Sequence, residues 1–239
     1  MEVDKENYPL HGYYKDIYKK YDLVNRIFTF GKDKSWRKKA VAKLLEKSPS
    51  NILDICTGTG DLILEIAAQA DNHVNLSGYD FSPEMLQKAK GKAIQAKSQV
   101  DFTEGNVASM PFDNNFFDAA GISFGLRNLI YQNSNAEKHL GEIHRVIKQG
   151  GRFVILESSK PGNPVWRFFN GIYLQLILPY LGGIISGNLK AYKYLAKSSK
   201  NYYTREEMSR ILISAGFNIE SSQPLFLGSV MLMVAIKEG

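Results

Sequence analysis

Short apolar runs alternate with helical patterns of hydrophobic residues from residue 51 to the C-terminus. Five runs resemble buried strands, the third together with its following loop, and they occupy residues 51–55, 74–80, 100–112, 116–125 and 152–158. Such alternation is typical of a parallel sheet. Two more runs, 218–226 and 229–239, flank Leu227-Gly228 and predict a closing hairpin. We therefore expect an α/β protein with a seven-stranded, mostly parallel sheet, a C-terminal antiparallel hairpin, and helices on both faces.

Two helices carry signals at their ends. The helical pattern at 136–148 is followed by Gly150-Gly151, a pair that commonly ends a helix. The pattern at 204–217 begins with Thr204 and has Glu207 three residues later, which is the spacing of a capping box. Gly216 is expected to end that helix.

The first 50 residues precede the sheet and predict two helices. Apolar and aromatic residues recur in steps of three and four from Tyr13 to Phe28, and a second helical pattern covers 36–47. The stretch between them could form a lid over a ligand, although packing against the domain is favoured for Phe30 and Trp36. We divide the chain as one domain, 1–239, with a helical lid at 1–50, a cofactor-binding half at 51–158, an apolar insertion at 160–201, and a helix and hairpin at 202–239.

The insertion is the least typical part of the chain. Its core, 165–187, is very apolar and rich in aromatic residues, but polar residues, Pro179 and Gly182-Gly183 interrupt it. We therefore expect no continuous membrane-spanning helix there. The alternatives are a buried helix pair, a hydrophobic cap over the active site, and a membrane-leaning entrance for an apolar substrate.

Candidate chemistry is concentrated in NILDICTGTGD, residues 51–61, which predict a strand, a tight turn and a helix. Gly58 and Gly60 permit unusual backbone angles and leave room for a ligand against the backbone. The turn lacks the third glycine of a dinucleotide fingerprint and the Gly-Lys-Ser/Thr of a phosphate loop. Asp54 and Asp61, at its two ends, would repel a pyrophosphate. They would suit a positively charged ligand such as S-adenosylmethionine.

Three further strand ends supply candidate ligand contacts. Asp80 ends the second strand twenty residues after Gly60, a spacing at which an acid reaches ribose hydroxyls. Asn106 and Val107 follow the third strand, where they could contact an adenine edge. The fourth strand ends in the polar, glycine-containing tip SFGLRN, residues 123–128. Functional residues concentrate at such tips.

Composition and charge narrow the function further. The only cysteine, Cys56, excludes a disulfide framework, and the four histidines lack metal-ligand spacing, so we expect no metal site. The net charge is +6, with the excess in the N-terminal third and in 190–200. This suits an anionic membrane surface or nucleic acid, and a solvated basic face is an equal alternative. The polar N-terminus predicts no signal peptide, so we expect a cytoplasmic protein, with peripheral contact at the inner membrane surface as an alternative.

Several motifs together resemble one family. They are YDLVN (21–25), FGKDKSWR (30–37), TGTGD (57–61), MPFDNNFFD (110–118), SFGLRN (123–128), RVIKQGG (145–151), LESSKP (156–161) and YKYLAKS (192–198). These runs resemble the ubiquinone/menaquinone biosynthesis C-methyltransferases, which are class I S-adenosylmethionine-dependent methyltransferases with a Rossmann-like fold. SFGLRN and YKYLAKS are specific to that family, whereas the glycine turn alone is not.

The resemblance implies S-adenosylmethionine as cofactor and methylation of a ring carbon on a polyprenylated quinol, with demethylmenaquinol favoured over a ubiquinone precursor. With the turn, it places the cofactor against nine residues: Asp54, Gly58, Thr59, Gly60, Asp80, Phe81, Asn106, Val107 and Ser123. Arg127 is the candidate for stabilising the substrate phenolate, and Asn128 and Tyr192 are weaker catalytic candidates. The alternative for Arg127 is pairing with a helix C-terminus or with Asp118.

Two other functions stay open at this point. One is methylation of another hydrophobic small molecule, and the other is methylation of RNA, suggested by the basic charge. Basic residues are not interleaved with aromatics as in known RNA-binding modules, so we expect no nucleic-acid partner. The expected partners are a hydrophobic quinol and an anionic membrane surface. The sequence leaves the oligomeric state open, with a homodimer as one alternative.

Overall fold

A computed structural model describes residues 21–238 of the chain, so the part of the first predicted helix before Tyr21 lies outside the described residues. Seven strands form one sheet in the order β3-β2-β1-β4-β5-β7-β6. Their bounds are Asn51–Ile55 (β1), Asn75–Asp80 (β2), Asp101–Glu104 (β3), Phe117–Ser123 (β4), Ile147–Ser158 (β5), Phe217–Leu225 (β6) and Val230–Lys237 (β7). Strands β1 to β5 pair in parallel, and β7 runs antiparallel to both β5 and β6. The predicted sheet with its antiparallel hairpin is confirmed.

Ten α-helices connect or flank the strands in the described part of the chain. They are Tyr21–Phe28 (α1), Asp33–Leu45 (α2), Asp61–Ala67 (α3), Pro83–Ala96 (α4), Leu126–Ile130 (α5), Ala136–Val146 (α6), Pro164–Ile172 (α7), Leu178–Ser186 (α8), Leu189–Lys200 (α9) and Arg205–Ser214 (α10). A π-helical turn at Tyr173–Ile177 joins α7 to α8, and a short 3₁₀ turn at Phe226–Gly228 joins β6 to β7.

The core lies on both faces of the sheet because side chains alternate along each strand. In β5, Phe153 and Ile155 join a cluster with residues of α5, α6 and α10, whereas Val154 and Leu156 join a cluster with residues of α2 and α3. Central strands that are covered on both sides by helices consist of nearly continuous apolar residues. This explains why the sequence shows runs rather than alternation there.

The helix caps follow the sequence signals at two of three positions. Thr204 and Glu207 form the predicted capping box, in which the Glu207 backbone N–H donates to Thr204 Oγ1 and the Thr204 N–H donates to Glu207 Oε2. Gly216 follows the C-cap of α10 with a φ of +89°, as expected of the glycine that ends that helix. The expected helix end at Gly150-Gly151 is wrong, because α6 ends at Val146 and β5 begins at Ile147.

The glycine pair instead forms an irregular part of β5. Gly150 has a φ of +73°, and the register with β4 shifts between Phe117 and Ala119. A Cβ on Gly151 would lie 2.7 Å from Ile147 Cγ2 and 3.0 Å from the Asp118 carbonyl oxygen. The glycines therefore allow a bulged strand and a close approach of β4, two roles that glycine commonly serves within strands.

The insertion also differs from the prediction, because 164–186 forms one continuous helical segment. Two features allow it. The π turn ends at Ile177, two residues before Pro179, and a widened turn relieves the loss of the proline N–H and the clash of its ring with the preceding turn. Gly182 packs against the Tyr192 ring, where a Cβ would lie 2.5 Å from Cδ1. Pro164–Ile185 is long and apolar enough to cross a membrane by length and composition alone, and 22% of its most apolar window is buried.

Candidate active site

The turn after β1 holds its shape through left-handed residues and a buried carboxylate. Cys56, Gly58 and Gly60 have φ values of +55°, +55° and +82°. Gly60 begins α3, and a Cβ there would lie 3.0 Å from Ala89 Cβ. Both predicted glycines are therefore required by the backbone, and Cys56 adopts the same strained region without being a glycine.

Asp54 lies buried beneath this turn. Its Oδ2 accepts hydrogen bonds from Thr57 Oγ1 at 2.6 Å and from the Ile63 N–H at 3.1 Å. Its Oδ1 is buried and has no hydrogen-bond partner within residues 21–238. Burial, opposed in part by the two hydrogen bonds, raises the pKa of Asp54 to about 7. A buried carboxylate with one unsatisfied oxygen is stabilised by a cation placed near it.

Asp80 ends β2 beside the same turn. Its two oxygens accept from the backbone N–H groups of Gly58, at 2.8 Å, and Ser82, at 2.9 Å. Burial is the main influence on its pKa, which rises to about 6 although these hydrogen bonds act to lower it. Each oxygen retains lone-pair capacity, which a ligand hydroxyl could use.

A cleft opens at the carboxyl ends of β1, β2 and β4. Its volume is about 50 Å³, and it is lined by Cys56, Gly58, Asp80, Met85, Ser123, Phe124, Gly125 and Asn128. A Cβ on Gly125 would lie 2.7 Å from Cys56 Cβ, so bare backbone is required at that wall. Among residues 21–238, the lining includes a carboxylate and no lysine or arginine, which disfavours a phosphate and suits a nucleoside that carries positive charge.

A larger apolar cavity adjoins this cleft. Its volume is about 180 Å³, and Phe124 and Asn128 line both spaces. Its walls come from α1, α2, the tip of β4, the end of β5, the insertion and the turn between β6 and β7. They include Trp36, Tyr173, Leu174, Leu178, Tyr192 and Phe226. A polar cleft suited to a nucleoside thus shares two wall residues with a cavity suited to an apolar molecule.

Comparison with known proteins identifies this arrangement. The model of the ubiE/COQ5 methyltransferase family matches residues 1–237. The chain belongs to the ubiE/COQ5 methyltransferase family. The demethylmenaquinone methyltransferase of Thermus thermophilus is 41% identical over 86% of this chain and 91% of its own length. The ubiquinone/menaquinone biosynthesis C-methyltransferase UbiE of Geobacter sp. is 37% identical over 87% of each chain.

Solved structures agree with the fold. A SAM-dependent methyltransferase from Aquifex aeolicus superposes with a TM-score of 0.61 at 17% identity, over 84% of this chain and 89% of that one. One from Thermotoga maritima, described as a possible histamine N-methyltransferase, superposes with a TM-score of 0.66 at 16% identity, over 95% of this chain and 99% of that one. The resemblance in the sequence is confirmed. The chain is an S-adenosylmethionine-dependent methyltransferase.

The nine residues predicted to contact the cofactor take different positions in this ubiE/COQ5 family member. Gly58, Asp80 and Ser123 line the cleft. Thr59 does not belong to its lining, because its hydroxyl donates to Asp22 at 2.6 Å and accepts from Lys92 at 3.2 Å. Asp54 and Gly60 support the turn from below. A side-chain contact between Thr59 and the cofactor is therefore at odds with this geometry, and its backbone is the remaining candidate.

The residues predicted after β2 and β3, namely Phe81, Asn106 and Val107, are not part of the described cleft lining. Phe81 is half-buried and directly follows Asp80. Asn106 uses its side-chain oxygen to accept from the Ala108 N–H at 2.9 Å, and its carbonyl accepts from the Tyr79 hydroxyl at 3.2 Å. Val107 is buried in the core. The Asn106 side-chain oxygen therefore holds its own loop, which leaves the side-chain amide N–H groups for a base edge.

The three catalytic candidates are brought together, since Arg127, Asn128 and Tyr192 all line the apolar cavity. The Arg127 guanidinium is buried and bonds Ser198 Oγ, whereas its Nε has no partner within the described residues. The alternative partner Asp118 is engaged elsewhere: it accepts from Lys148 Nζ at 2.6 Å and from the Asn51 N–H at 2.8 Å. Arg127 therefore does not pair with Asp118, whereas its contact with Ser198, in the last turn of α9, fits the other alternative, pairing near a helix C-terminus.

Two cavity residues were missed by the sequence reasoning. Ser159 Oγ is buried without a hydrogen-bond partner in 21–238 and lines the cavity. Tyr173, which also lines it, donates its hydroxyl to the Phe28 carbonyl at 2.8 Å, and burial raises its pKa to about 12. Ser159 falls in the LESSKP motif, so the motif was the available signal. Tyr173 lies in the apolar run 165–187, and no motif in the sequence indicated its position in the cavity wall.

The N-terminal helix is tied to the cofactor turn by charge. Asp22 of α1 accepts from Lys88 and Lys92 of α4, at 2.8 and 2.9 Å, as well as from Thr59. Burial acts to raise the pKa of Asp22, but the hydrogen bonds from these three residues hold it below its usual value.

Trp36 is buried as expected, whereas Phe30 is exposed beside Tyr173. Within 21–238, no group of three or more His, Cys, Asp or Glu residues is arranged to hold a metal ion.

Proposed function

We propose that this chain methylates a ring carbon of a polyprenylated quinol, and that demethylmenaquinol is its substrate. One observation carries the proposal: Phe124 and Asn128 line both the cleft suited to S-adenosylmethionine and a largely apolar cavity. A planar ring in that cavity would lie next to the cofactor's reactive end. The names of relatives such as the Thermus protein support the choice of a demethylmenaquinone-type ring.

The cofactor supplies an electrophilic methyl group on a sulfonium, so the chain's contribution is position and charge. Methyl transfer needs the ring carbon held in line with that methyl, about 3–3.5 Å away. The walls of Trp36, Phe226 and Tyr192 are suited to restrict a flat ring in this way. Asp80 and the bare backbone of Gly58 and Gly125 would hold the nucleoside opposite them.

The ring carbon becomes nucleophilic when the quinol hydroxyl ionises. Arg127 is buried in the cavity wall and keeps one donor, Nε, without a partner among the described residues. A fixed positive charge in an apolar cavity favours the phenolate strongly, because the local dielectric is low. Asn128, which lines both spaces, and Tyr192 are further candidates for orienting the quinol oxygens.

The proton released from the ring carbon needs an acceptor, and no carboxylate or histidine in the described lining of the cavity is an obvious one besides Asp33. Both oxygens of Asp33 are already engaged, because Oδ1 accepts from Thr29 Oγ1 and Oδ2 pairs with Arg37. Water is the acceptor that we propose.

The single free cysteine is in keeping with a reducing, cytoplasmic location, which forms part of the same proposal.

The test is transfer of a labelled methyl group to three acceptors: a demethylmenaquinol, a ubiquinone-type benzoquinol precursor, and a phenolic metabolite without a prenyl tail. We expect turnover with the first to exceed the others. Turnover only with the benzoquinol would move the substrate to the ubiquinone branch. Transfer to the untailed phenol alone would favour the other candidate, methylation of a different hydrophobic small molecule, and would refute the quinol proposal.

A further inference from the structure

The insertion presents an apolar face to solvent along its whole helical segment. Val165, Phe168 and Ile184 are 64%, 65% and 81% exposed. The same face carries six more large apolar side chains that are exposed: Phe169, Ile172, Leu176, Ile177, Tyr180 and Leu181. A continuous apolar strip of this length is rare on the surface of a protein that stays in water and marks an interaction site.

The opposite face of the segment is fixed to the protein. Leu174 and Leu178 are buried in a cluster with Val24 and Tyr192, and Gly182 is packed against the Tyr192 ring. Leu174, Leu178 and Tyr192 also line the apolar cavity. A single helix therefore lies between the cavity and the exposed strip. A segment that crossed a membrane would have to leave these contacts.

Positive charge lies beside the strip. Residues 158–204 contain six lysine or arginine residues and no aspartate or glutamate, so this stretch alone carries +6, which equals the net charge of the whole chain. Lys193, Lys197 and Lys200 of α9 line one groove with Gln175 and Pro179 of the apolar segment. The groove has a volume of about 250 Å³, and its described lining includes no acidic residue.

We infer that this surface docks onto an anionic lipid membrane, with the strip 165–184 in the acyl region and Lys193, Lys197 and Lys200 on the phosphates of the head groups. The segment would lie in the membrane plane, as amphipathic helices with flanking lysines do. The inference rests on the proposed function only for the identity of the substrate: a prenylated quinol dissolved in the bilayer would reach the cavity past Leu174 and Leu178.

A membrane explains these observations better than a protein partner does. The strip is apolar along its length and its charges are of one sign, whereas a protein interface normally mixes apolar residues with charges of both signs. Phe30 extends the apolar surface, since its exposed ring lies 6.1 Å from that of Tyr173. A lysine near an anionic membrane surface strengthens binding about fivefold, so three lysines account for about 100-fold.

The experiment is co-sedimentation of the full chain with phosphatidylcholine vesicles, with and without phosphatidylglycerol, at low and high salt. We compare two variants with the parent protein. One replaces Lys193, Lys197 and Lys200 by glutamine, and the other carries Phe168→Ser and Phe169→Ser. The matched control replaces three exposed lysines outside the insertion, Lys90, Lys97 and Lys138, by glutamine. None of these residues belongs to the proposed cofactor or quinol site.

We expect the parent and the control to bind phosphatidylglycerol vesicles, and high salt to weaken that binding. The lysine variant should lose about 100-fold in affinity for those vesicles. The phenylalanine variant should lose binding to both kinds of vesicle. Turnover of a short-tailed quinol in detergent should be unchanged in both variants, so a failure of docking is distinguishable from a failure of the proposed function.

Three results would overturn the inference. One is equal binding by the lysine variant and its control. Another is resistance of the bound protein to extraction with alkaline carbonate, which would show that the segment spans the bilayer. The last is a parent protein that forms dimers and does not bind vesicles, together with a phenylalanine variant that no longer dimerises. The strip would then be an interface between copies.

Discussion

Thr59 Oγ1 donates a hydrogen bond of 2.6 Å to the Asp22 carboxylate, which ties the N-terminal helix to the cofactor turn 37 residues later. Lys88 and Lys92 hold the same carboxylate from α4. Helix α1 also contributes Asn25 and Phe28 to the wall of the apolar cavity. One ion cluster therefore connects the cofactor turn, the helix after β2 and the cover of the substrate cavity.

Replacing Asp22 by asparagine should loosen this cover. The amide can still accept from Thr59, but it no longer balances two lysines, and part-exposed ion pairs of this kind contribute about 1 kcal/mol or less each. We expect affinity for S-adenosylhomocysteine to fall about fivefold by calorimetry, and amide hydrogen exchange over 21–28 to accelerate. Glu137→Gln, at an exposed position on α6, is the control. Unchanged exchange over 21–28 would show that the cluster does not hold the helix.

Cofactor affinity should depend on pH through Asp54 and Asp80, whose pKa values burial raises to about 7 and about 6. A cation favours both carboxylates in their ionised form, so the dissociation constant for S-adenosylmethionine should rise as pH falls through this range. Binding below pH 7 should release protons, which calorimetry in buffers of different ionisation enthalpy detects. Asp80→Asn should remove the step near pH 6, and a pH-independent dissociation constant would refute the assignment.

The same two groups should act on stability in the opposite direction. Their folded pKa values exceed the ordinary value of 3.8, so the ligand-free folded state binds more protons than the unfolded state between about pH 4 and pH 7. Their contribution to the free energy of unfolding is therefore most favourable at the acidic end and declines as pH rises through this window. Denaturant titrations of Asp54→Asn and Asp80→Asn against the parent across that range measure the effect. If the free energy of unfolding changes with pH in the variants as it does in the parent, the predicted contribution of these two groups is wrong.

Arg127→Ala should depress turnover far more than cofactor affinity. Removing one donor that stabilises a developing or bound oxyanion typically costs about 10²–10³ in kcat. Arg127→Lys keeps the charge but loses the planar donor set, so we expect partial activity. Arg210→Ala, at an exposed position on α10, is the control.

Because Arg127 is buried, its alanine variant could also lose stability, and Ser198→Ala separates the two effects. That variant leaves the guanidinium in place and removes its hydroxyl partner. A role in the phenolate predicts that the apparent pKa of the kcat profile rises in Arg127→Lys and Arg127→Ala. Equal losses of turnover and cofactor affinity, with no shift in the profile, would remove Arg127 from catalysis.

Gly125→Ala should destabilise the wall of the cofactor cleft. The new Cβ would lie 2.7 Å from Cys56 Cβ, and overpacking of this kind costs about 1–3 kcal/mol in the free energy of unfolding. Cys56→Gly removes the opposing Cβ and also suits a φ of +55°, so the double variant should recover much of the loss. Cys56→Ser keeps the Cβ and is the matched control. Denaturant unfolding of the two single variants and the double variant measures the coupling. If the effects of Gly125→Ala and Cys56→Gly on the free energy of unfolding simply add, the two positions are not coupled.

The sequence predicted the sheet, the cofactor turn and the position of Asp80, because each depends on local patterns: apolar runs, glycines and an acid at a strand end. It failed at Gly150-Gly151, since a glycine pair after a helix is equally compatible with a bulged strand, and only the neighbouring β4 decides between them. It also failed for 164–186, where Pro179 and two glycines suggested breaks that the π turn and the Tyr192 ring remove.

The parts of the site that escaped prediction involve residues far apart in the chain. The hydrogen bond of Asp22 to Thr59 and the contact of Arg127 with Ser198, 71 residues later, leave no periodicity in the sequence. The Ser159 hydroxyl is buried, and its backbone N–H donates to the carbonyl of Ser229, 70 residues later, so its burial depends on tertiary packing. Local patterns fix the elements, whereas the partners of polar side chains depend on which elements meet.

The π turn at Tyr173–Ile177 sets the rotational phase of everything that follows it in the insertion. Each residue of an α-helix advances the side chains by about 100° around its axis, and a π turn accommodates one residue more than an α turn. Deleting a single residue from 173–177 would therefore convert the π turn into an ordinary α turn and leave Gly182 facing the Tyr192 ring, whereas deleting a residue of α8 before Gly182 would rotate that glycine away from the ring. The π turn is thus a part of the insertion that tolerates the loss of one residue, and the helix after it is not.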